Sequence, residues 1–185
     1  MTVIVSMLRG VNVGSHKRMK MDALRGVYEA LGLQAPQTYV QSGNVIFGTE
    51  QQDLVQLTKR IEDGIERSFG FRPTVVVRTC SELRGVIARN PFALRSGIEP
   101  SKLLVIFFAA DPGPGARSKI LGLYPDTEEF ATHGRELYIY FPDGMARPKL
   151  SPAIVEKTLK TSGTARNWNS VSRMLEIAER LETAG

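Results

Sequence analysis

The chain opens on an apolar run, Val3-Ile4-Val5-Ser6-Met7-Leu8, which predicts a strand ending at Leu8 or Arg9. The period then changes. Leu24, Val27, Tyr28 and Leu31 recur at helical spacing, predicting a helix over about 22–31 with Gly32 as its stop. Thr38-Tyr39-Val40-Gln41 and Asn44-Val45-Ile46-Phe47 are β-rich, and Ser42-Gly43 between them reads as a tight hairpin turn. Leu54, Leu57, Ile61, Ile65 and Phe69 then line one face of a long helix over 53–69, closed by Gly70. A strand is expected over 73–79. Thr79-Cys80-Ser81-Glu82 has the form of a capping box for a helix to Arg89, ended by Asn90-Pro91-Phe92.

Residues 93–101 read as a connection, after which the same order begins again. Leu103 to Ala109 is a strongly apolar strand, followed by the Asp111–Gly115 loop and a short helix over 116–123. A second hairpin is expected about His133-Gly134, between 128–132 and 136–141. Ser151-Pro152 is a helix start, with serine as cap and proline in the first helical position, and that helix runs to about Lys160. Residues 161–169 are expected to be irregular or briefly extended, with Asn169 or Ser170 capping a last helix to Leu181. Each half therefore has the split β-α-β-β-α-β order. The fold class is α+β: tandem ferredoxin-like units with antiparallel sheets and helices packed on them. The expected boundaries are 1–92 for the first unit with its linking helix, and 93–185 for a second, incomplete unit with a weak or missing last strand plus a C-terminal helix.

Composition narrows the function classes. With 185 residues, 42% hydrophobic and 23% charged, the chain can bury a core and is not disordered. No apolar run approaches the roughly 20 residues of a membrane span, and Met1 to Val5 reads as a strand rather than a signal peptide. No membrane partner is expected. The single cysteine, Cys80, excludes an internal disulfide framework and fits a reducing cytoplasm. A formal charge of +5 and a pI of about 9.5 favour anionic partners.

The candidate chemistry gathers in Leu8-Arg9-Gly10-Val11-Asn12-Val13-Gly14-Ser15-His16-Lys17-Arg18-Met19-Lys20-Met21, between the first strand and the first helix. A crossover helix makes the first two strands run in the same direction. Arg9 to Gly14, Lys20 and the Gln41-Ser42-Gly43-Asn44 turn are therefore expected at one end of the sheet. Arg9 offers a fork of donors for carboxylate or phosphate, the glycines allow close backbone approach, and the following helix start favours negative charge. Asn12, Gln41 and Asn44 can donate and accept. The bland alternative is a polar corner whose side chains satisfy loop backbone groups. The stretch is neither a Walker phosphate loop nor a dinucleotide fingerprint.

Arg166-Asn167-Trp168-Asn169 is the second conspicuous stretch. It reads either as ligand contacts with Trp168 stacking, or as a core tryptophan beside a helix cap, and for Trp168 the core is favoured. Other candidates are thinner. Cys80 begins a helix, but only His16 and His133 exist and neither is near it in sequence. Asp126, Glu128 and Glu129 read as the exposed side of a hairpin. No cluster has metal-ligand spacing, so no metal and no cofactor are expected. Tyr138 and Tyr140 share one strand face; core or interface is favoured over an RNA-stacking platform, because RNP-type motifs are absent.

Leu8 to Gly14, Lys20-Met21, Tyr39 to Val45, Asn90-Pro91-Phe92 and Thr164 to Asn169 together resemble a bacterial family known as domain of unknown function 1697. The resemblance spans nearly the whole chain. It implies the tandem ferredoxin-like fold and a small cytosolic protein, and no established activity, substrate or cofactor. That family usually has a glycine and then a polar residue after Val13-Gly14; Ser15-His16 departs from this, so His16 carries no weight. The first and last signature segments both hold an arginine and asparagines, and are expected to converge on one site between the halves. The resulting ligand-binding set is Arg9, Asn12, Lys20, Gln41, Ser42, Asn44, Arg166, Asn167 and Asn169, for an anionic or nucleotide-like small molecule. Two further readings stay open: a nucleic-acid-binding module using Lys17, Arg18, Lys20, Arg25, Lys157 and Lys160, and an enzyme of unspecified reaction at the same site. The oligomeric state is not legible.

Overall fold

The computed structural model describes residues 1–12, 18–146 and 148–185. The expectations attached to Gly14, His16 and Lys17 fall outside these residues. Among the described residues, no helix is long and apolar enough to cross a membrane. Two compact units are present, one of residues 1–85 with 173–185, the other of residues 86–172.

In the first unit, β1 (Thr2–Leu8), α1 (Met21–Ala30), β2 (Gln34–Tyr39), β3 (Asn44–Thr49), α2 (Leu54–Phe69) and β4 (Val75–Thr79) follow in order, and then comes α3 (Cys80–Ala88), whose residues from Val86 onward belong to the second unit. The strands form an antiparallel sheet ordered β2-β3-β1-β4. Ile4, Leu8, Phe47, Val75 and Val77 on one sheet face pack with Leu24 and Tyr28 of α1 and Ile61 and Ile65 of α2. Val3, Val5 and Met7, on the other face of β1, are buried as well. The helix ends are set by local chemistry. Asp53 accepts from the Val55 and Gln56 N–H groups at α2, and Gly70 closes that helix at φ 74°. The capping box forms: Thr79 N donates to Glu82 Oε2 (2.8 Å) and Glu82 N to Thr79 Oγ1 (3.0 Å).

The first hairpin is longer than a two-residue turn. β2 ends at Tyr39 and β3 begins at Asn44, with Val40 at φ 50° and Gly43 at φ 74°. A Cβ on Gly43 would lie 2.5 Å from Val11 Cγ2 and 2.8 Å from Leu8 Cβ, so glycine is needed here for space as well as for conformation. β2 also starts earlier than its composition suggests. Its register shifts between Gln34 and Gln37, and Pro36 is tolerated because the strand lies at the sheet edge.

The second unit contains the 3₁₀ turn Pro100–Lys102, then β5 (Leu103–Phe108), α4 (Ala116–Leu121), β6 (Glu129–His133), β7 (Glu136–Tyr140), α5 (Pro152–Leu159) and β8 (Gly163–Asn167). Its sheet has the equivalent order, β6-β7-β5-β8. Ile106, Phe108, Leu137, Ile139 and Phe141 pack with Ile120 of α4 and Val155 and Leu159 of α5. The last strand, expected to be weak or missing, is formed and pairs with β5 from Gly163–Phe108 to Asn167–Leu104. Its sequence hides it. A Cβ on Gly163 would lie 2.8 Å from Phe107 O, so glycine is required by close strand approach, and Thr164 and Arg166 stand where an apolar alternation would be sought. The final helix, α6 (Trp168–Ala184), starts at the tryptophan, and its residues from Arg173 onward belong to the first unit rather than the second.

Candidate functional site

The expected meeting at the end of the first sheet occurs. Leu8 N donates to Gly43 O (2.9 Å), and Arg9 N to Thr74 O (2.9 Å). Asn12, at φ 55°, sits between three chain segments. Its Nδ2 donates to Met19 O (2.9 Å) and to Gln41 O (2.7 Å), and its Oδ1 accepts from Met19 N (2.6 Å). Asparagine suits this place because it tolerates the left-handed region and carries both donor and acceptor. The amide thus ties the chain after β1 to the approach to α1, and ties both to the hairpin turn. On that turn, the buried Asn44 donates from Nδ2 to Tyr39 O (3.1 Å) and Ser42 Oγ (2.9 Å). Asn12 and Asn44 therefore shape the corner, as the bland reading supposes.

Cations remain on its surface. Arg9, Arg18 and Lys20 are all exposed, as are Gly10 and Gln41. Lys20 is the N-cap of α1 and provides no side-chain cap bond. α2, α5 and α6 are instead capped by Asp53, Ser151 and Asn167, and α3 by Thr79. A lysine at this position opposes the positive end of the helix dipole unless an anion stands there.

The second unit supplies an internal comparison. Phe108 N donates to Arg135 O (2.8 Å) and Ala109 N to Ser162 O (2.9 Å), reproducing the two backbone bonds at Leu8 and Arg9. The strand registers correspond as well: Val5 faces Arg78 across its sheet, and Val105 faces Arg166. At this shared position of the second unit stands Ala109, not arginine. Its connection from β5 to α4 spans 109–115 rather than 9–20, and the β6–β7 turn is Gly134-Arg135. The same fold therefore closes without an Arg9, an Asn12 or a Lys20.

The Arg166 to Asn169 stretch has a different character. Arg166 is buried on β8, and its Nη1 donates to Thr164 Oγ1 (2.6 Å) and Ala165 O (2.8 Å). Burial pushes its guanidinium down to about 10, so it still carries its proton at neutral pH. Arg78, also buried, makes the matching bond from Nη1 to Val77 O (2.8 Å). Nothing in the valine-rich run before Arg78 signals that a guanidinium is buried there. Asn167 caps α6, accepting from Asn169 N (2.9 Å), while its Nδ2 donates to Ser101 O (3.3 Å). Trp168 is half-buried, and Asn169 is exposed.

Other candidates resolve into structure. Cys80 is buried and its thiol is pushed up to about 12, first by burial, then by a hydrogen bond to Glu182 that outweighs the opposing Arg84 charge. Both effects disfavour the thiolate, the nucleophilic form, at neutral pH. Arg84 is held by Glu179 (2.9 Å) and Glu182 (3.1 Å). Glu128 accepts from Lys149 N (2.6 Å) and Asp126 N (2.9 Å), and Glu129 pairs with Arg95. Tyr138 and Tyr140 are buried, with Tyr138 Oη donating to Val86 O (2.7 Å), which leaves no exposed stacking platform on that strand. Among the described residues, no group of His, Cys, Asp and Glu could hold a metal ion.

The family model described as protein of unknown function, DUF1697, matches residues 1–138, and the chain belongs to that family. A solved structure of a conserved bacterial protein from Streptococcus pneumoniae shares the fold, with a TM-score of 0.73 at 16% identity, covering 96% of this chain and 98% of that one. Among curated proteins, none matches significantly.

Proposed function

Taking membership of a family without an assigned activity as the premise, we propose that the first unit binds a small anion, of the phosphate or nucleotide type, at the corner built on Asn12. The observation that carries this reading is the comparison between the two units. Register and backbone bonds recur, while the arginine, the clamped asparagine and the lysine N-cap occur in the first alone. A polar corner required by the fold would be needed twice. Arg9 and Lys20 supply charge, exposed Gln41 supplies a neutral hydrogen-bonding edge, and Asn12 and Asn44 hold the backbone that carries them. Ser42 serves both roles, as the acceptor of the Asn44 amide and as a hydroxyl at the turn surface. Arg166 and Asn167, engaged within the second unit, fit structural roles better, and Asn169 is the member of that stretch with an exposed side chain. We take the chain to work in the cytoplasm, where its lone thiol stays reduced.

Thermal unfolding in graded orthophosphate, pyrophosphate and nucleotides is the test. A saturable rise in Tm is expected for the native chain, since a ligand of the folded state alone stabilises by mass action. The rise should shrink in Arg9→Ala and Lys20→Ala. A Tm indifferent to all these anions, or a rise as large in both variants as in the native chain, refutes the reading.

A further inference from the structure

The helix layer of the second unit carries exposed cations of its own, apart from those at the Asn12 corner. β6 runs parallel in direction to β5, each being antiparallel to β7, so α4 must carry the chain back against β5. β8 is antiparallel to β5, so α5 returns along it. The two helices pack together and are therefore antiparallel, which puts the start of α4 beside the end of α5. Arg117 and Lys119 lie on α4, and Lys157 and the C-cap Lys160 on α5; all four are exposed. None has an acidic partner among the described residues. Arg117 lies over the Phe130 ring at 5.5 Å, which leaves its charge at the surface. Within the two helices the one acidic side chain is the half-buried Glu156, and Asp111, in the loop before α4, accepts from Gly113 N. On α1 of the first unit, by contrast, Arg25 is flanked by Asp22 (3.3 Å) and Glu29 (3.6 Å). Beyond the end of α4 stands Tyr124, 80% exposed, a ring on which a base could stack.

We propose that this helix layer binds single-stranded nucleic acid, with Arg117, Lys119, Lys157 and Lys160 neutralising phosphates along the strand and Tyr124 stacking on a base. Four exposed cations on two neighbouring helices, without an acidic partner among the described residues, match a repeating phosphate backbone better than a single anion does. The contact carries no sequence information beyond stacking strength.

The probe is a fluorescein-labelled oligothymidylate, read by anisotropy over a salt series. Releasing counterions from four phosphates predicts a log–log salt slope of about −3, at about −0.7 for each single-strand contact. Lys119→Glu with Lys157→Glu should weaken binding at least about tenfold and flatten the slope. A control of equal charge change on the first unit, Lys59→Glu with Arg67→Glu, should leave both unchanged. Circular dichroism melts establish that each variant is folded. Absence of binding at low salt, an equal loss in the control, or adsorption to anionic vesicles without oligonucleotide binding overturns the proposal.

Discussion

Asn12 Nδ2 donates to Gln41 O at 2.7 Å, joining the chain that leaves β1 to the hairpin turn between β2 and β3, while the rest of the same amide closes on Met19. One side chain thus fixes the corner on which Arg9 and Lys20 stand. Asn12→Ala removes all three bonds and leaves an alanine at φ 55°. It should destabilise the fold by about 2 kcal/mol in urea denaturation, while Asn12→Gly, free of the conformational strain, should cost about 1 kcal/mol less. Equal midpoints for the two variants would show that the left-handed conformation has no part in the cost.

Gly43 and Gly70 separate conformation from crowding. Both lie at φ 74°, but an added Cβ meets Val11 and Leu8 at Gly43 and nothing within 4 Å at Gly70. Gly70→Ala should cost about 1 kcal/mol from backbone strain alone. Gly43→Ala should cost about 2 kcal/mol more, because Val11 or Leu8 must shift within a packed core. Chemical denaturation of the two variants checks the difference.

Asn167 and Asn169 should part company. Replacing the cap by alanine, Asn167→Ala, should cost about 1 kcal/mol, whereas Asn169→Ala should fall within about 0.5 kcal/mol of the native chain. Thermal melts of the two variants decide whether that motif works mainly as a helix start.

The Cys80 thiol ties stability to alkaline pH. Its pKa rises from 9.0 unfolded to about 12 folded, so between those values the unfolded chain has lost a proton that the native chain keeps. The unfolded state binds fewer protons there, and stability falls as pH rises through that window. Burial also raises the hydroxyl pKa values of Tyr28 and Tyr138, which steepens the fall above pH 10. Cys80→Ala should reduce the slope of unfolding free energy against pH above 9 without removing it. Alkylation of the native thiol at pH 8 should be slow and should accelerate on unfolding.

Much of this architecture can be read from periodicity. The apolar run of β1, the single apolar face of α2 and the capping residues Asp53, Thr79 and Ser151 all carry local signals that the packed structure preserves. The meeting of the Arg9 stretch with the Gln41 turn follows from strand direction alone. What is not legible depends on contacts distant in sequence. Gly163 is a glycine because Phe107 O lies where a side chain would start, so β8 looks like loop. Arg78 and Arg166 are buried despite their charge, which hydropathy cannot foresee. The asparagines of the corner are legible as polar but not as already bonded, since their partners are backbone groups at Met19, Gln41 and Tyr39.

Binding of an anion where Arg9, Lys20 and the Gln41 turn meet is open to direct observation. Backbone amide NMR shifts during titration with pyrophosphate locate any binding directly. Saturable shifts are expected at Arg9 to Asn12, Lys20 to Ala23 and Gln41 to Gly43, with the corresponding Ala109 to Gly115 segment unmoved. Silence at the first three segments, or shifts centred instead on Gly163 to Asn169, would contradict this expectation.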